Sequence, residues 1–260
     1  MGVAEATFPH PEEWRLKGVD APLDKINVRM MTAALNAQQH VPPSCPAAWK
    51  ERIGELPASI GQRYNQRLLT PKDWMSHFKN ILHRAFWSRS RRSGDDQCRC
   101  CGDATETIQH FAECDTVGQV FANFRNLTEA AVTDEESRAR HALFALRPDG
   151  QEEPEGWVAL HLLLWKHTIY QLVLVETEDA RFSVHGVWRS AWRRLERKAL
   201  ALQERARIVI QRRESRGDPP IDVTKMGDAL KPLARMNESG QLCWNNALRK
   251  KIKDFGDPNA

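Results

Sequence analysis

Tyrosine is nearly missing from this chain, with two residues against nine tryptophans, and cysteine is as scarce outside one stretch. Of six cysteines, only Cys45 and Cys243 lie away from residues 98–114. The N-terminus, MGVAEATFPHPEEW, lacks the basic start and apolar run of a secretory signal. It also lacks the Ser or Thr that myristoylation requires at position 6, where Ala6 stands before Thr7. No apolar run is uninterrupted: residues 156–175 approach the length of a membrane span, but His161, Lys166, His167 and Gln171 break them. A buried helix is expected there, and no membrane contact. No strand-rich region and no internal repeat is visible. An intracellular, reducing compartment, nucleus or cytoplasm, follows as the expectation.

What is abundant is tryptophan and unevenly placed charge. The nine tryptophans suit buried anchors of a folded core, and 41% hydrophobic with 28% charged residues is ordinary for a globular chain of 260 residues. The net charge of +4 conceals an asymmetry. Residues 63–92 hold eight Lys or Arg against one acid, and residues 181–216 hold eleven against three. Those segments carry +7 and +8, so the remainder is net −11. Separation of this kind suits either a polyanionic partner or solvated helix faces.

Prolines 9, 11, 22, 42, 43, 46 and 57 punctuate residues 1–60, which read as an irregular arm with one short helix at 23–39. A helix is predicted from Thr70: Thr70 as N-cap, Pro71 at the first position, Asp73 in the first turn, and Trp74, Phe78, Ile81, Leu82 and Phe86 as its apolar stripe. Residues 61–146 are expected to form a zinc-binding domain with flanking helices, and the polar break at 147–156 to end it. Residues 155–215 read as a helical hairpin or bundle segment. Within it, Trp188, Trp192, Leu195, Ala199, Leu202, Ala206 and Val209 recur at spacings 4, 3, 4, 3, 4, 3, a seam open to a helix of this chain or of a partner. Residues 216–260, rich in Pro, Gly and Lys, are expected to be a loosely ordered tail. The fold class is therefore mainly α: helical domains around a small CCHC zinc knuckle, with a long basic C-terminal helix.

The thiol cluster, CRCCGDATETIQHFAEC, carries chemistry. Cys98, Cys101, His110 and Cys114 are spaced C-x2-C-x8-H-x3-C. A C-x2-C pair turns two thiolates into one pocket, and Gly102 permits a positive φ behind them. A His and a Cys four apart share one helix face. Four N/S donors in two pairs match tetrahedral zinc, and a closed set leaves no position for a substrate water, so a structural Zn2+ is expected. Cys100 is a surplus thiol that could replace Cys101. A Cys98–Cys101 disulfide fits a reducing compartment poorly.

Read together, Cys98-x-x-Cys101-Gly102, Glu106-Thr107, His110-Phe111 and Cys114 resemble the zinc-binding domain that follows the reverse transcriptase in LINE-type, non-LTR retroelements. The resemblance covers roughly residues 63–125 and is concentrated in 98–114. It implies zinc binding and a place beside nucleic-acid-handling enzymes, with Phe121 or Phe124 as the family's downstream aromatic. Thr107 would cap the helix that delivers His110, and Glu106 would hydrogen-bond behind the ligands.

No active site is expected. The Gly94-Asp95-Asp96 string has no flanking strands, residues 217–225 are Pro-rich, and the nine histidines, His161 and His167 among them, lie near no readable nucleophile. The expected function is a zinc-binding, nucleic-acid-binding accessory module of retroelement type, for RNA or DNA. Its phosphate contacts would be Arg84, Arg89, Arg91, Arg92 and Arg99 beside the knuckle, and Arg193, Arg194, Arg197 and Lys198 on the long helix, with Trp87 available to stack on a base. The alternative is a zinc-stabilised interaction protein or ribonucleoprotein subunit, pairing through the Trp188–Val209 seam.

Overall fold

A computed structural model describes residues 44–64, 67–82, 96–178 and 180–257. The chain divides into two compact units, Met1–Ala48 and Trp49–Ala260. The 23–39 helix, Trp87, Asp95 and Arg84, Arg89, Arg91 and Arg92 lie outside the described residues. The break expected at 147–156 falls inside the second unit. There it is a tight turn, closed by a bridge between Leu146 and Glu152 and by Arg147 N–H donating to the Gln151 carbonyl at 2.8 Å.

The described residues are mostly helical. Helix α1 spans Ser44–Ile53, so the arm is not irregular throughout; Pro46 is tolerated because it sits in the first turn. Trp49, Ile53, Leu56 and Ile60 are spaced 4, 3 and 4 apart and all are buried. A 3₁₀ segment, Ala58–Tyr64, leads to α2, Pro71–His77. Thr70 and Asp73 form its capping box: Thr70 N–H and Oγ1–H both donate to Asp73 Oδ2, at 3.0 and 2.7 Å. The α-helix passes after His77 into a π turn, Phe78–Leu82, so it is shorter than its apolar stripe suggests.

Three helices follow: α3, Ile108–Glu113; α4, Gly118–Thr128; and α5, Glu135–Phe144. The two longest are α6, Glu155–Glu178, and α7, Val184–Glu214, which pack on each other. By length and composition α6 could cross a membrane. Yet Val158–Trp165 are buried among the protein's own side chains, as expected for a core helix. Gly156 allows its N-terminal end to approach residues 230–231, since a Cβ there would lie 2.6 Å from the Lys231 carbonyl oxygen.

The α7 seam is filled from within the chain. Trp188, Trp192, Leu195, Ala199 and Ala206 are buried, and α6, α4 and the C-terminal elements pack on α7. Leu202 and Val209 of the seam are half-buried. The C-terminal residues are not a loose tail. A 3₁₀ segment Thr224–Leu230, strands β1 (Ala234–Met236) and β2 (Leu242–Trp244) and helix α8 (Asn246–Phe255) are packed against the core. The strands are antiparallel with Arg235 opposite Cys243. Gly240, at φ 76°, and Asn237 Oδ1, accepting from Gln241 N–H at 2.8 Å, close their turn. Ile252 is 1% exposed and anchors α8.

The core contains buried polar groups. His77, His141 and His161 are at most 1% exposed. His77 Nε2–H donates to the Leu143 carbonyl and its Nδ1 accepts from Tyr64 O–H, both at 2.8 Å. His161 Nε2–H donates to the Ala142 carbonyl at 2.8 Å, while its buried Nδ1 has no hydrogen-bond partner among the described residues.

Candidate metal centre

The segment before α3 is a small bridged turn. Gln97 bridges Thr105, Cys98 N–H donates to the Ala104 carbonyl at 2.7 Å, and Gly102 N–H returns to the Cys98 carbonyl at 2.8 Å. Gly102 has φ 78°, the left-handed conformation that this close return requires. The turn brings Cys98 and Cys101 to one side. Thr107 then caps α3, its Oγ1 accepting from His110 N–H at 3.0 Å. Cys114, at the C-cap, donates its N–H to the His110 carbonyl at 2.6 Å, which holds the two side chains one turn apart on one face. Phe111 and Val117, both fully buried, fix this helix end on the core.

The sulfurs of Cys98, Cys101 and Cys114 and a ring nitrogen of His110 all lie within 4.8 Å of one another. Cys101 Sγ and His110 Nε2 are 3.3 Å apart. A tetrahedral site with about 2.3 Å metal–sulfur bonds has donors about 3.8 Å apart, so a small contraction would close this set on one ion. Cys98, Cys101 and Cys114 are free thiols, so the four residues could hold a metal ion. Of the two candidates for the second thiol, Cys101 is in the four-donor set.

Among Cys98, Cys100 and Cys114, only Cys98 is shifted toward the thiolate. The Cys100 thiol, then the Cys114 thiol, donate to it and hold its pKa well below the usual thiol range, against the opposing effect of burial. The same contacts, with burial, push Cys100 and Cys114 upward. The backbone contributes as well, Cys100 N–H pointing at Cys98 Sγ from 3.4 Å. A pocket that favours a thiolate suits a cation.

Arg99 is not a phosphate contact. Its side chain is 2% exposed and that of Glu106 is fully buried. Arg99 Nε–H donates to Glu106 Oε2 at 2.6 Å, Nη2 donates to Oε1, and Arg99 N–H reaches Oε2 at 3.2 Å. The guanidinium also donates from Nη1 to the Leu172 carbonyl on α6 at 3.1 Å and pairs with Glu176 at 3.4 Å. A fork between Cys98 and Cys101 therefore ties the turn to the core helix. Glu106 fills the supporting place expected of it.

On α7, Arg193 and Arg197 are exposed, as a phosphate contact needs. Arg194 and Lys198 are otherwise placed: with Lys166 they converge on Asp73, at 2.9, 3.2 and 3.0 Å. The Asp73 side chain is fully buried. Burial alone would raise its pKa; hydrogen bonds from Thr70, Arg194 and Lys166 outweigh that and hold it well below the carboxylate range. Sequence reasoning took Asp73 for a first-turn residue and Lys166 for an interruption of the apolar run. No local signal could have joined them, since Asp73 lies 93 residues from Lys166 and 121 from Arg194.

No protein-family model matches the chain, and neither a curated protein nor a solved structure is similar to it.

Proposed function

We propose that the chain is a zinc-stabilised nucleic-acid-binding module of the kind found downstream of a retroelement reverse transcriptase, with a structural metal and no catalytic one. The closed donor set carries this reading: three thiols and one imidazole within 4.8 Å of one another, two of the thiols buried. Zn2+ held by Cys98, Cys101, His110 and Cys114 would have all four positions taken by protein, leaving none for a reacting water. Its chemistry is to fix the turn at 98–102 against the end of α3.

The resemblance of residues 98–114 to the LINE-type domain supports a partner of nucleic acid, and the exposed Arg193 and Arg197 supply charge for phosphates. The competing use of the chain, a helix partner on the α7 seam, has less to dock on, because Trp188, Trp192, Leu195, Ala199 and Ala206 are buried within the chain.

The test is elemental mass spectrometry on wild type and His110→Ala, purified without added metal, followed by anisotropy titration with random-sequence RNA and DNA. One zinc per chain in wild type, lost in the variant, with nucleic-acid affinity that falls steeply with salt, is the expected result. A folded, reduced wild type without zinc would sink the site assignment.

A further inference from the structure

The acidic residues of α7 are confined to one side of the helix. At about 100° per residue, Arg194, Lys198, Arg205 and Arg212 fall within an arc of about 40° along the helix. Glu196, Glu204 and Glu214 fall on the other flank, where Glu196 pairs with Arg249 and Glu204 with Arg207, both at 2.6 Å. The acid-free flank faces residues 67–71, and between them lies a groove of about 320 Å³. Arg67, Leu69 and Pro71 form one wall, and Lys198, Leu202 and Arg205 the other. No acidic residue lines it.

The surroundings leave this groove short of negative charge. Asp73 is shared among Lys166, Arg194 and Lys198, so one carboxylate faces three cations. Arg67 is paired with Glu155 at 3.4 Å, and Arg205 has no ion-pair partner among the described residues. Five cationic groups thus stand with two carboxylates, Asp73 and Glu155. Asp73 also holds Lys198, whose side chain is only 19% exposed, in place before any ligand arrives. Little side-chain freedom is then left to lose on binding. An anion entering the groove would relieve the mutual repulsion of Lys166, Arg194 and Lys198.

We propose that this groove is the phosphate seat of a single-stranded nucleic acid, a proposal that rests on the nucleic-acid reading above. Lys198 and Arg205 take a backbone phosphate, Arg67 stands at the mouth, and Leu69 and Leu202 give the adjoining sugar or base an apolar floor. A flexible single strand can push a phosphate into a recess; a duplex presents its phosphates on a rigid convex rod that meets only protruding cations.

The experiment uses the full chain and a fluorescent random-sequence RNA of single-stranded form, titrated by anisotropy at several salt concentrations. The groove pair is Arg205→Glu with Arg67→Gln; the control pair is Lys225→Glu with Lys250→Gln, an equal change of charge at exposed lysines outside the groove and off α7. All four residues are exposed, and circular dichroism verifies that both variants are folded. The groove pair should lose about tenfold or more in affinity, and its salt slope should drop by about 0.7 for each phosphate contact removed. The control pair should change affinity less and leave the salt slope nearly as it was.

Equal losses in the two variants, or a groove pair that binds like wild type, would overturn the groove and leave the nucleic-acid reading standing. Wild type that prefers duplex, or that yields equally to poly-glutamate, would overturn the single-strand phosphate assignment. Wild type that binds no nucleic acid would overturn the reading and the groove together.

Discussion

Replacing Glu106 by alanine would leave the buried Arg99 guanidinium without its bidentate partner. Both side chains are at most 2% exposed, so solvent screens the pair little. Glu176, at 3.4 Å and with 20% of its side chain exposed, is a looser substitute. Removing one member of such a pair typically costs about 3–5 kcal/mol, most of it the penalty of a buried charge left poorly compensated. For a chain of this size that lowers the melting temperature by about 6–20 °C. Because Arg99 lies between Cys98 and Cys101, metal affinity should fall as well, by about 10- to 100-fold, the usual effect of losing a group that orients ligands. Tryptophan fluorescence melts of the zinc-loaded protein, with a competing chelator to read affinity, measure both. The double variant Arg99→Met, Glu106→Leu should recover most of the stability, since apolar replacement of both partners is often neutral. A Glu106→Ala protein that melts within about 2 °C of wild type, or a double variant worse than the single, would refute the argument that this fork docks the metal turn on α6.

Acid should destabilise the protein through its core histidines. Burial lowers His77 to about 3, helped by the Arg63 charge, and lowers His161 well below its usual value, helped by His77 and Arg63. A folded-state pKa below the unfolded one means that the unfolded chain binds more protons, so this stability is complete above about pH 6.5 and is lost as pH falls toward 3. Each histidine should contribute a slope of about 1.4 kcal/mol per pH unit in that window. Thermal melts from neutral pH downward check it, and His161→Phe should flatten the slope by one proton's worth. Asp73→Asn should cost about 2–3 kcal/mol, reduced from the fully buried case because its three partners are 19–32% exposed. Part of that loss should return in about 1 M salt, where the Debye length of about 3 Å screens the remaining repulsion; salt-independent melts would contradict it.

The candidate metal site was legible because its parts are local. Cys98, Cys101, His110 and Cys114 lie within one turn and one helix, and local rules of capping and helix spacing place them. Arg99 was misread for a complementary reason: a charged residue in a basic chain looks exposed until its distant neighbours Leu172 and Glu176 are known. The C-terminal residues held readable signals, an Asn237-to-Gly240 turn and Leu248, Ile252 and Phe255 at spacings of 4 and 3, which their Pro, Gly and Lys content obscured.

Local order in the sequence therefore determined the clustering of Cys98, Cys101, His110 and Cys114, the Thr70 and Thr107 caps, the apolar face of α7 and the mainly helical class. Each depends on residues a few positions apart, where backbone geometry does the placing. Tertiary structure decided what the α7 seam packs against, which cations Asp73 gathers, where Arg99 is buried and which flank of α7 borders a groove. Those depend on groups brought together from as far as 121 residues apart, and no local periodicity encodes which distant charge a buried carboxylate will meet.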